Sequence, residues 1–340
     1  MSDIPRGAIR FNTDSNKPEL WDGSQWAEFQ LSTPNLGQSS DTQPGARGLF
    51  AGGYTSGAGI EYINISSTGN GTDFGDLSVA HTRWLSSAAS RTRGVFAGGQ
   101  EVPSPGFTNK IQFVTFASTG NSTNFTDTLS ANKLAVAGMS NETRGVFAGG
   151  QSPSDDHIIT IDYITIASTA QTRADFGDLI QDRRNGEGAS SPTRGLIAGG
   201  STPAITSNIE FVTLSTLGNA QTFGDLSESR QQCMGVSNAT RALFGGGGNP
   251  TTHQSIDSIY FATTGRATNF GDLTSARQEG GGVSSPTRGV FAGGRTVPSS
   301  TQLDTIDSVA IATEGDAVDF GDLNTARRAI GHVSNAHGGL

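Results

Sequence analysis

The sequence predicts an all-β protein, in which a short N-terminal β-hairpin module is followed along the chain by a β-propeller of six four-stranded blades. Two observations predict this fold class. The 340-residue chain contains 47 glycines and is rich in Ser, Thr and Asn, but it has few of the residues that fill amphipathic helices. A unit of about 50 residues also occurs six times, and each copy indicates four short strands separated by turn residues.

The most regular piece of this unit is a short apolar run that begins with arginine and ends in a glycine pair, as in TRGVFAGG at residues 143–150. A phosphate-binding loop would need its glycines at the start of a helix, and no helix is predicted here. We therefore interpret the run as the second blade strand, with Val146 and Phe147 filling opposite faces of the blade. The glycine pair then permits positive φ and close approach of backbone where the strand ends. The recurring arginines are Arg47, Arg93, Arg144, Arg194, Arg241 and Arg288.

The other three strands recur with the same spacing. The third strand alternates β-branched residues, as in IDYITIAS at residues 161–168, and the fourth is centred on DFGDL. The first strand follows a basic residue, which is Arg83, Lys133, Arg184, Arg230, Arg277 or Arg327. The arginine of the second strand could either bond carbonyl groups or pair with the second acid of DFGDL. Those acids are Asp76, Asp178, Asp225, Asp272 and Asp322.

Closure of the ring is also indicated by the sequence. Residues 31–45 form a poor strand, whereas residues 327–340 contain a first strand with no blade after it. The C-terminal strand is therefore predicted to complete the first blade, which gives six blades. Seven blades is the alternative if residues 33–44 form additional structure. The predicted domains are residues 1–32, the hairpin module, and residues 33–340, the propeller.

The order of a basic residue, a Gly-Gly pair, an apolar third strand and an aromatic fourth strand resembles the kelch repeat over roughly residues 33–340. The sequence departs from kelch in the fourth strand, where phenylalanine replaces the usual tryptophan at Phe74, Phe125, Phe176, Phe223, Phe270 and Phe320. The resemblance implies a kelch-like propeller that acts as an interaction module. Kelch-type copper-radical oxidases need a set of Tyr, His and Cys ligands, which four tyrosines and one cysteine do not favour.

Composition and motifs argue against several classes of function. A net charge of −9 disfavours non-specific binding to nucleic acid. The single cysteine, Cys233, excludes a disulfide within the chain and a cysteine-based metal site. No apolar run is long enough for a membrane span, the N-terminus lacks the features of a signal peptide, and the five histidines show no ligand spacing. We expect a non-enzymatic protein with no cofactor, no metal, no nucleic acid and no membrane insertion.

The connections between second and third strands differ from one repeat to the next, whereas the other turns are nearly uniform. Variable loops on a rigid scaffold are the usual place for binding. We therefore predict a binding face that carries Tyr54, Phe107, Asp155, Asp156, His157, His253 and Arg295. Trp84, in the inner strand of the second blade, is expected to plug the channel rather than stack on a sugar.

The N-terminal segment has a different composition. Residues 8–13 and 18–23 flank a polar turn, and a third short strand follows. Two of the three tryptophans lie here, in a segment too small to bury them alone. The predicted docking or oligomerisation residues are Phe11, Trp21, Trp26 and Phe29.

This segment resembles the short β-modules of tailed-phage fibre proteins, including the trimerising foldon of phage fibritin. The resemblance is carried by Ile4, Pro5, Arg6, Asp22, Gly23 and Trp26. The blade repeats are also similar to kelch-like proteins encoded by bacteriophages. Together these resemblances imply a structural virion protein of the tail-fibre type, made in the host cytoplasm.

In that case residues 1–32 would anchor the protein to other virion proteins, with or without forming a homo-oligomer. The propeller would bind a host surface protein, a glycan or a neighbouring virion protein. The alternatives are a capsid decoration protein and a cellular kelch-like interaction module or lectin.

Overall fold

The computed structural model describes residues 5, 7–12, 17–21, 23–28, 46–54, 57–79, 81–101, 106–170 and 173–340. The regular structure of these residues is entirely β. None of the described residues belongs to a helix that could cross a membrane. In chain order the strands are β1 (Ile9–Asn12), β2 (Lys17–Trp21), β3 (Trp26–Glu28), β4 (Arg47–Ala51), β5 (Gly59–Asn64), β6 (Thr72–Asp76), β7 (His81–Arg83), β8 (Ser86–Ala89), β9 (Arg93–Ala97), β10 (Gln100–Glu101), β11 (Lys110–Thr115), β12 (Thr123–Thr128), β13 (Ala137–Ser140), β14 (Arg144–Ala148), β15 (Ile158–Thr165), β16 (Ala174–Arg183), β17 (Glu187–Ser190), β18 (Arg194–Ala198), β19 (Ser201–Thr202), β20 (Ala204–Ile205), β21 (Asn208–Thr213), β22 (Gln221–Asp225), β23 (Met234–Ser237), β24 (Arg241–Gly245), β25 (Ser255–Tyr260), β26 (Thr268–Asp272), β27 (Gly281–Ser284), β28 (Arg288–Ala292), β29 (Thr305–Ala310), β30 (Val318–Asp322) and β31 (Gly331–Ser334).

Six antiparallel sheets of four strands form the blades of a β-propeller. From the innermost strand outwards, blade 1 is β31-β4-β5-β6, blade 2 is β8-β9-β11-β12, blade 3 is β13 to β16, blade 4 is β17-β18-β21-β22, blade 5 is β23 to β26 and blade 6 is β27 to β30. The pairs β7–β10 and β19–β20 are small additions. The prediction of six blades is thus confirmed over the described residues.

The C-terminal strand closes the ring, as the sequence predicts. Strand β31 pairs with β4, so that Gly331 lies opposite Ala51 and Ser334 opposite Gly48. The inner strands of neighbouring blades contact one another in turn around the whole circle, and β31 also contacts β8. The first and last parts of the propeller therefore share one blade, which ties the ends of the ring together.

The hydrophobic core lies between the blades because each blade buries both of its faces. Val146 and Phe147 are completely buried, yet they belong to different clusters on opposite faces of blade 3. Full burial of one such side chain contributes about 2 kcal/mol to stability. The fourth-strand phenylalanines, such as Phe176, are also buried. The alternation within the TRGVFAGG run is therefore a packing pattern, as predicted.

The glycine pair at the end of this run serves the fold. Gly149 and Gly150 have φ values of +69° and +113°. A Cβ atom on Gly149 would lie 2.5 Å from the carbonyl oxygen of Arg183, which belongs to the outer strand of the same blade. No side chain fits into that space, so the pair is required for close backbone approach.

The chain divides into two compact units, Met1–Gln43 and Pro44–Leu340. The domain boundary predicted between residues 32 and 33 lies outside the described residues. In the first unit, β1, β2 and β3 form an antiparallel sheet in that order. The predicted hairpin and third strand are therefore present.

Candidate functional site

The two faces of the propeller carry different connections. Each second strand ends beside the start of its inner strand, as Ala148 pairs with Ala137 in blade 3. The variable connections between second and third strands therefore lie on the same face as the connections from each outer strand to the next blade. We call this the loop face. The opposite face, which carries the short uniform turns and the C-terminal residues, is called the plug face.

The predicted binding residues of the loop face are spread over separate blades. Asp155 accepts a hydrogen bond from Arg184 at 2.6 Å, and Nδ1 of His253 lies 3.2 Å from Oε2 of Glu228. Asp156 is exposed and His157 is half-buried beside the outer edge of blade 3. Phe107 forms a backbone bridge in blade 2. Only Tyr54 and Arg295 of the predicted set line a common cavity.

The second-strand arginines bond carbonyl groups, which was one of the two predicted alternatives. Nη1 of Arg144 donates to the carbonyl oxygen of Leu214 in the next blade at 2.9 Å. Its guanidinium lies 5.1 Å from the ring centre of Tyr163 in its own blade. Equivalent bonds to the following blade are made by Arg47, Arg93, Arg194, Arg241 and Arg288. Pairing with the second acid of DFGDL is wrong, because these arginines have structural partners in the backbone.

A different set of acids neutralises the cations that precede the inner strands. In blade 5, Nη2 of Arg230 lies 2.6 Å from Oδ2 of Asp257, and both side chains are buried. The equivalent pairs are Lys133–Asp162, Arg183–Glu210, Arg277–Asp307 and Arg327–Glu61. Burial lowers the pKa of Lys133, Arg183, Arg277 and Arg327, and the nearby carboxylate acts in the opposite direction. The sequence prediction named Arg184 where the buried residue is Arg183.

These ion pairs attach each connection to the blade that follows it. The acid lies on the third strand, and it also accepts hydrogen bonds from the residue after the preceding outer strand, as Asp257 does from Ser227. The cation donates to backbone carbonyls of the same blade, as Arg230 does to Ser255 at 2.9 Å. The charges therefore have a structural role.

The connection into blade 2 is built differently. Thr82 occupies the place of the buried cation, two residues before a residue of positive φ, and Gln112 occupies the place of the acid. Gln112 accepts hydrogen bonds from Ser78 at 2.9 Å and from Ser122 at 2.7 Å. Arg83, which the sequence prediction placed at the buried position, instead bonds the amide oxygen of Gln100.

The inner strands surround a central channel that the C-terminal residues cross on the plug face. His337 lies beside the carbonyl of Ala89 and the hydroxyl of Ser140, at 3.3 and 3.2 Å. Gly338 and Gly339 lie so close to inner-strand carbonyls of blades 3 and 4 that a Cβ atom on either would collide with them. Burial lowers the pKa of His337 to about 4, so its imidazole is neutral at pH 7. The channel is thus open towards the loop face and covered on the plug face.

The open end of this channel forms the candidate site, which we call the mouth. It has a volume of about 330 Å³. Its side chains are Tyr54, Arg83, Trp84, Gln232, Glu279, Arg295 and Arg328. Below it, a neck of about 70 Å³ leads into the channel, and Trp84, Gln232 and Glu279 line both spaces. Trp84 therefore lies at the boundary between mouth and neck.

Charge in the mouth is organised around one buried acid. Glu279 accepts hydrogen bonds from Nε of Arg295 at 3.0 Å and from Nη1 of Arg328 at 3.3 Å. Two guanidinium groups lie over aromatic rings, Arg328 over Tyr54 at 4.4 Å and Arg83 over Trp84 at 4.8 Å. Three arginines against one glutamate leave two excess positive charges in a chain whose net charge is −9.

Several polar atoms in this region have no hydrogen-bond partner among the described residues. They are Nε1 of Trp84, Oγ of Ser86 and Nδ1 of His332, and all three residues line the neck. Ser86 is almost completely buried. Nε2 of His332 is 3.3 Å from Oε1 of Glu187. Buried polar groups are normally satisfied, so three such atoms in one small region are an exception to the usual packing of a protein interior.

Sequence reasoning missed Arg83, Trp84, Glu279 and Arg328 as site residues. It followed only the connections between second and third strands, whereas these residues lie in the connections between blades. The aligned repeats contained a usable signal at one position before each inner strand, where the structure shows a residue of positive φ. In chain order these are Trp84, Ala135, Asn185, Gln232, Glu279 and Ala329. The fold accepts small or polar residues at this position, so a tryptophan there is not required by the blade.

The predicted docking residues of the N-terminal unit are described only in part. The ring centres of Trp21 and Trp26 are 5.5 Å apart across β2 and β3, and Arg10 lies 4.3 Å over the Trp26 ring. Phe11 belongs to β1, but its side chain is not among the described parts. Ile4, Arg6, Asp22 and Phe29 lie outside the described residues. Ile9 is exposed on β1.

No protein-family model matches this chain, and a search of curated proteins finds no match. Within the described residues, no three His, Cys, Asp or Glu side chains lie together as a metal site would require. Burial raises the pKa of the Cys233 thiol to about 12, so this cysteine is a packed thiol rather than a thiolate nucleophile.

Proposed function

We propose that this protein is a non-enzymatic virion component, in which the N-terminal unit attaches the chain to the particle and the loop face of the propeller binds a partner. The difference between the two faces supports the binding role. The repeated residues form inter-blade bonds, ion pairs and core contacts, whereas the loop face carries irregular connections and the mouth. A rigid ring that varies on one face is suited to recognition.

The virion assignment is supported by the phage-fibre resemblance of residues 4–26 and by the kelch-like resemblance of the blades. The composition of the N-terminal unit is consistent with docking, because Ile9 is exposed and the Trp21–Trp26 pair is only half-buried. An apolar patch on so small a unit gains stability when another surface covers it. The partners would be other virion proteins or further copies of this chain, and on the loop face a host surface protein or glycan.

Deletion of residues 1–32 tests the anchoring role. The propeller should still fold because residues 44–340 form a compact unit with its own core. Truncated protein should be lost from purified phage particles, as measured by mass spectrometry after complementation with full-length or truncated copies. Unchanged incorporation together with an unchanged solution mass would refute the anchoring role.

A loop-face variant provides the matched control. Tyr54→Ala removes an exposed aromatic of the mouth, so particles should contain the protein at the normal level while adsorption to host cells falls. If the truncation and Tyr54→Ala reduce incorporation equally, attachment to the particle and partner binding do not belong to separate units as proposed.

A lectin-like interaction module is the second candidate, and the mouth is the observation that favours it. The cavity combines aromatic rings with charged and amide side chains, a combination common in small-molecule sites. Saturable binding of glycans or proteins by free propeller, with residues 1–32 having no effect on particle assembly, would favour this candidate over the first.

A further inference from the structure

We propose that the mouth is a binding site for a sugar that carries a carboxylate group, such as a uronic acid at the end of a glycan. The proposal rests on the proposed binding role of the loop face and specifies the chemistry of its ligand. It is carried by the cationic excess of the mouth, the backbone conformation of Trp84 and the volume of the cavity.

Comparison between the blades shows that the blade structure does not require the tryptophan that lines the mouth. At the position of positive φ before the inner strand, blades 3 and 1 have Ala135 and Ala329, whereas blade 2 has Trp84 at φ +54°. A bulky residue in this left-handed region is uncommon and costs backbone energy. Trp84 also leaves its indole N–H without a partner. Blades 1 and 3 form with alanine at this position, so the tryptophan is consistent with a role of its ring in the mouth.

The charges of the mouth select an anion. Arg295 and Arg328 share Glu279, while Arg83 bonds only a neutral amide and lies over the Trp84 ring. Its charge is therefore not neutralised by a described acid. Guanidinium groups bind carboxylates through paired hydrogen bonds, and the adjacent ring holds the guanidinium in one orientation. A ligand carboxylate beside Arg83 would reduce the excess of two positive charges in the mouth to one.

The remaining groups favour hydroxyls next to that carboxylate. Gln232 supplies an amide, Glu279 accepts hydrogen bonds and Tyr54 and Trp84 supply aromatic rings. A volume of about 330 Å³ lies at the lower end of the range for small-molecule sites. The neck, at about 70 Å³, leaves room for water beside Ser86 and His332 but not for a second ring. A single acidic sugar fits these limits.

Matched ligands test the proposal on the full-length protein. Glucuronate and glucose differ only at C6, so titration calorimetry should give about tenfold tighter binding of glucuronate, the amount expected for a charge-assisted hydrogen bond. Acetate tests the carboxylate alone and should bind more weakly than glucuronate. Equal binding of glucuronate and glucose, equal binding of acetate and glucuronate, or no binding of glucuronate would each overturn the proposal.

Substitutions taken from other blades keep the fold intact. Arg83→Gln introduces the residue found at the equivalent positions Gln231 and Gln278, and Trp84→Ala introduces that of Ala135 and Ala329. Each should weaken glucuronate binding about tenfold while the melting temperature stays close to that of the parent. Arg184→Gln is the control, because Arg184 has the same position before blade 4 but does not line the mouth. If the control weakens binding as much as Arg83→Gln, or if Arg83→Gln has no effect, the site is wrong.

The outcome is separable from the test of the proposed function. Failure of glucuronate to bind would remove the acidic-sugar proposal but leave particle incorporation and host adsorption as measured. Unchanged incorporation after deletion of residues 1–32 would remove the anchoring role but would leave glucuronate titration unaffected.

Discussion

The connection into blade 2 differs from the other five connections between blades. At those five, a buried Lys or Arg is paired with a buried acid, as Arg277 is with Asp307 at 2.9 Å. At blade 2 the two positions hold Thr82 and Gln112. Both charges are replaced by neutral groups together. The difference shows that the third-strand position accepts a neutral hydrogen-bonding side chain in the blade whose connection has no cation at the matching position.

The physical reason is the cost of an unpaired charge in the interior. Two buried opposite charges can offset their lost hydration, but one alone cannot. Gln112 retains the hydrogen-bonding role of the acid, since its amide oxygen accepts from Ser78 and Ser122 and its amide nitrogen donates to the carbonyl of Val79. The hydrogen bonds are therefore the shared requirement, and the charge is an addition that must be balanced.

Removing one partner should have the largest effect. Asp307→Ala leaves Arg277 buried without a carboxylate, so the free energy of unfolding should fall by about 3–5 kcal/mol in urea titration. Asp155→Ala is the control, because the Asp155 side chain is 75% exposed in its pair with Arg184, and it should change stability by less than about 1 kcal/mol. Equal losses in the two variants would contradict the importance of pairing at the buried position.

Introducing one charge should have an intermediate effect. Gln112→Glu places a buried carboxylate opposite Thr82, and stability at pH 7 should fall by about 2 kcal/mol, since the surrounding donors satisfy it only in part. Burial raises the pKa of such a carboxyl above its unfolded value, so the folded chain binds the additional proton. The difference from the parent should therefore shrink as the pH falls from 7 to 5, as measured by urea titration at each pH. A pH-independent difference would indicate a steric cause instead.

Replacing both partners should have the smallest effect. Arg277→Thr with Asp307→Gln copies the connection into blade 2 into blade 6, and it should cost about 1 kcal/mol, less than Asp307→Ala alone. A double-mutant cycle with the two single variants measures the coupling. If the losses of the single variants simply add, the two positions do not act as a pair.

The sequence predicts much of the scaffold because the fold repeats. Val146 and Phe147 alternate between buried faces, and the spacing of their counterparts marks every blade. The segment around β31 completes blade 1 because it is a first strand with no blade of its own. These are local patterns, and six copies of each make the interpretation reliable.

The partners of the charged residues are not local. Arg144 bonds the carbonyl of Leu214, 70 residues away, and Arg288 bonds that of Ile65, 223 residues away. The buried cations pair with an acid of the third strand. Several acids in each repeat have the right charge, and only the positions of neighbouring strands decide which is within reach. Sequence reasoning therefore identified the second-strand arginines but left carbonyl groups and the second acid of DFGDL open as their partners, and the structure shows the carbonyl groups.

The sequence by itself determined the all-β class and the closure of the ring and favoured six blades over seven, because hydrophobic alternation and repeat spacing specify which residues form strands and which faces they bury. Only the tertiary structure decided that Tyr54, Arg83, Trp84, Glu279, Arg295 and Arg328 meet at the mouth of the channel. These residues are up to 274 positions apart in the chain. They are neighbours because closure of the ring brings blades 1, 2 and 6 together.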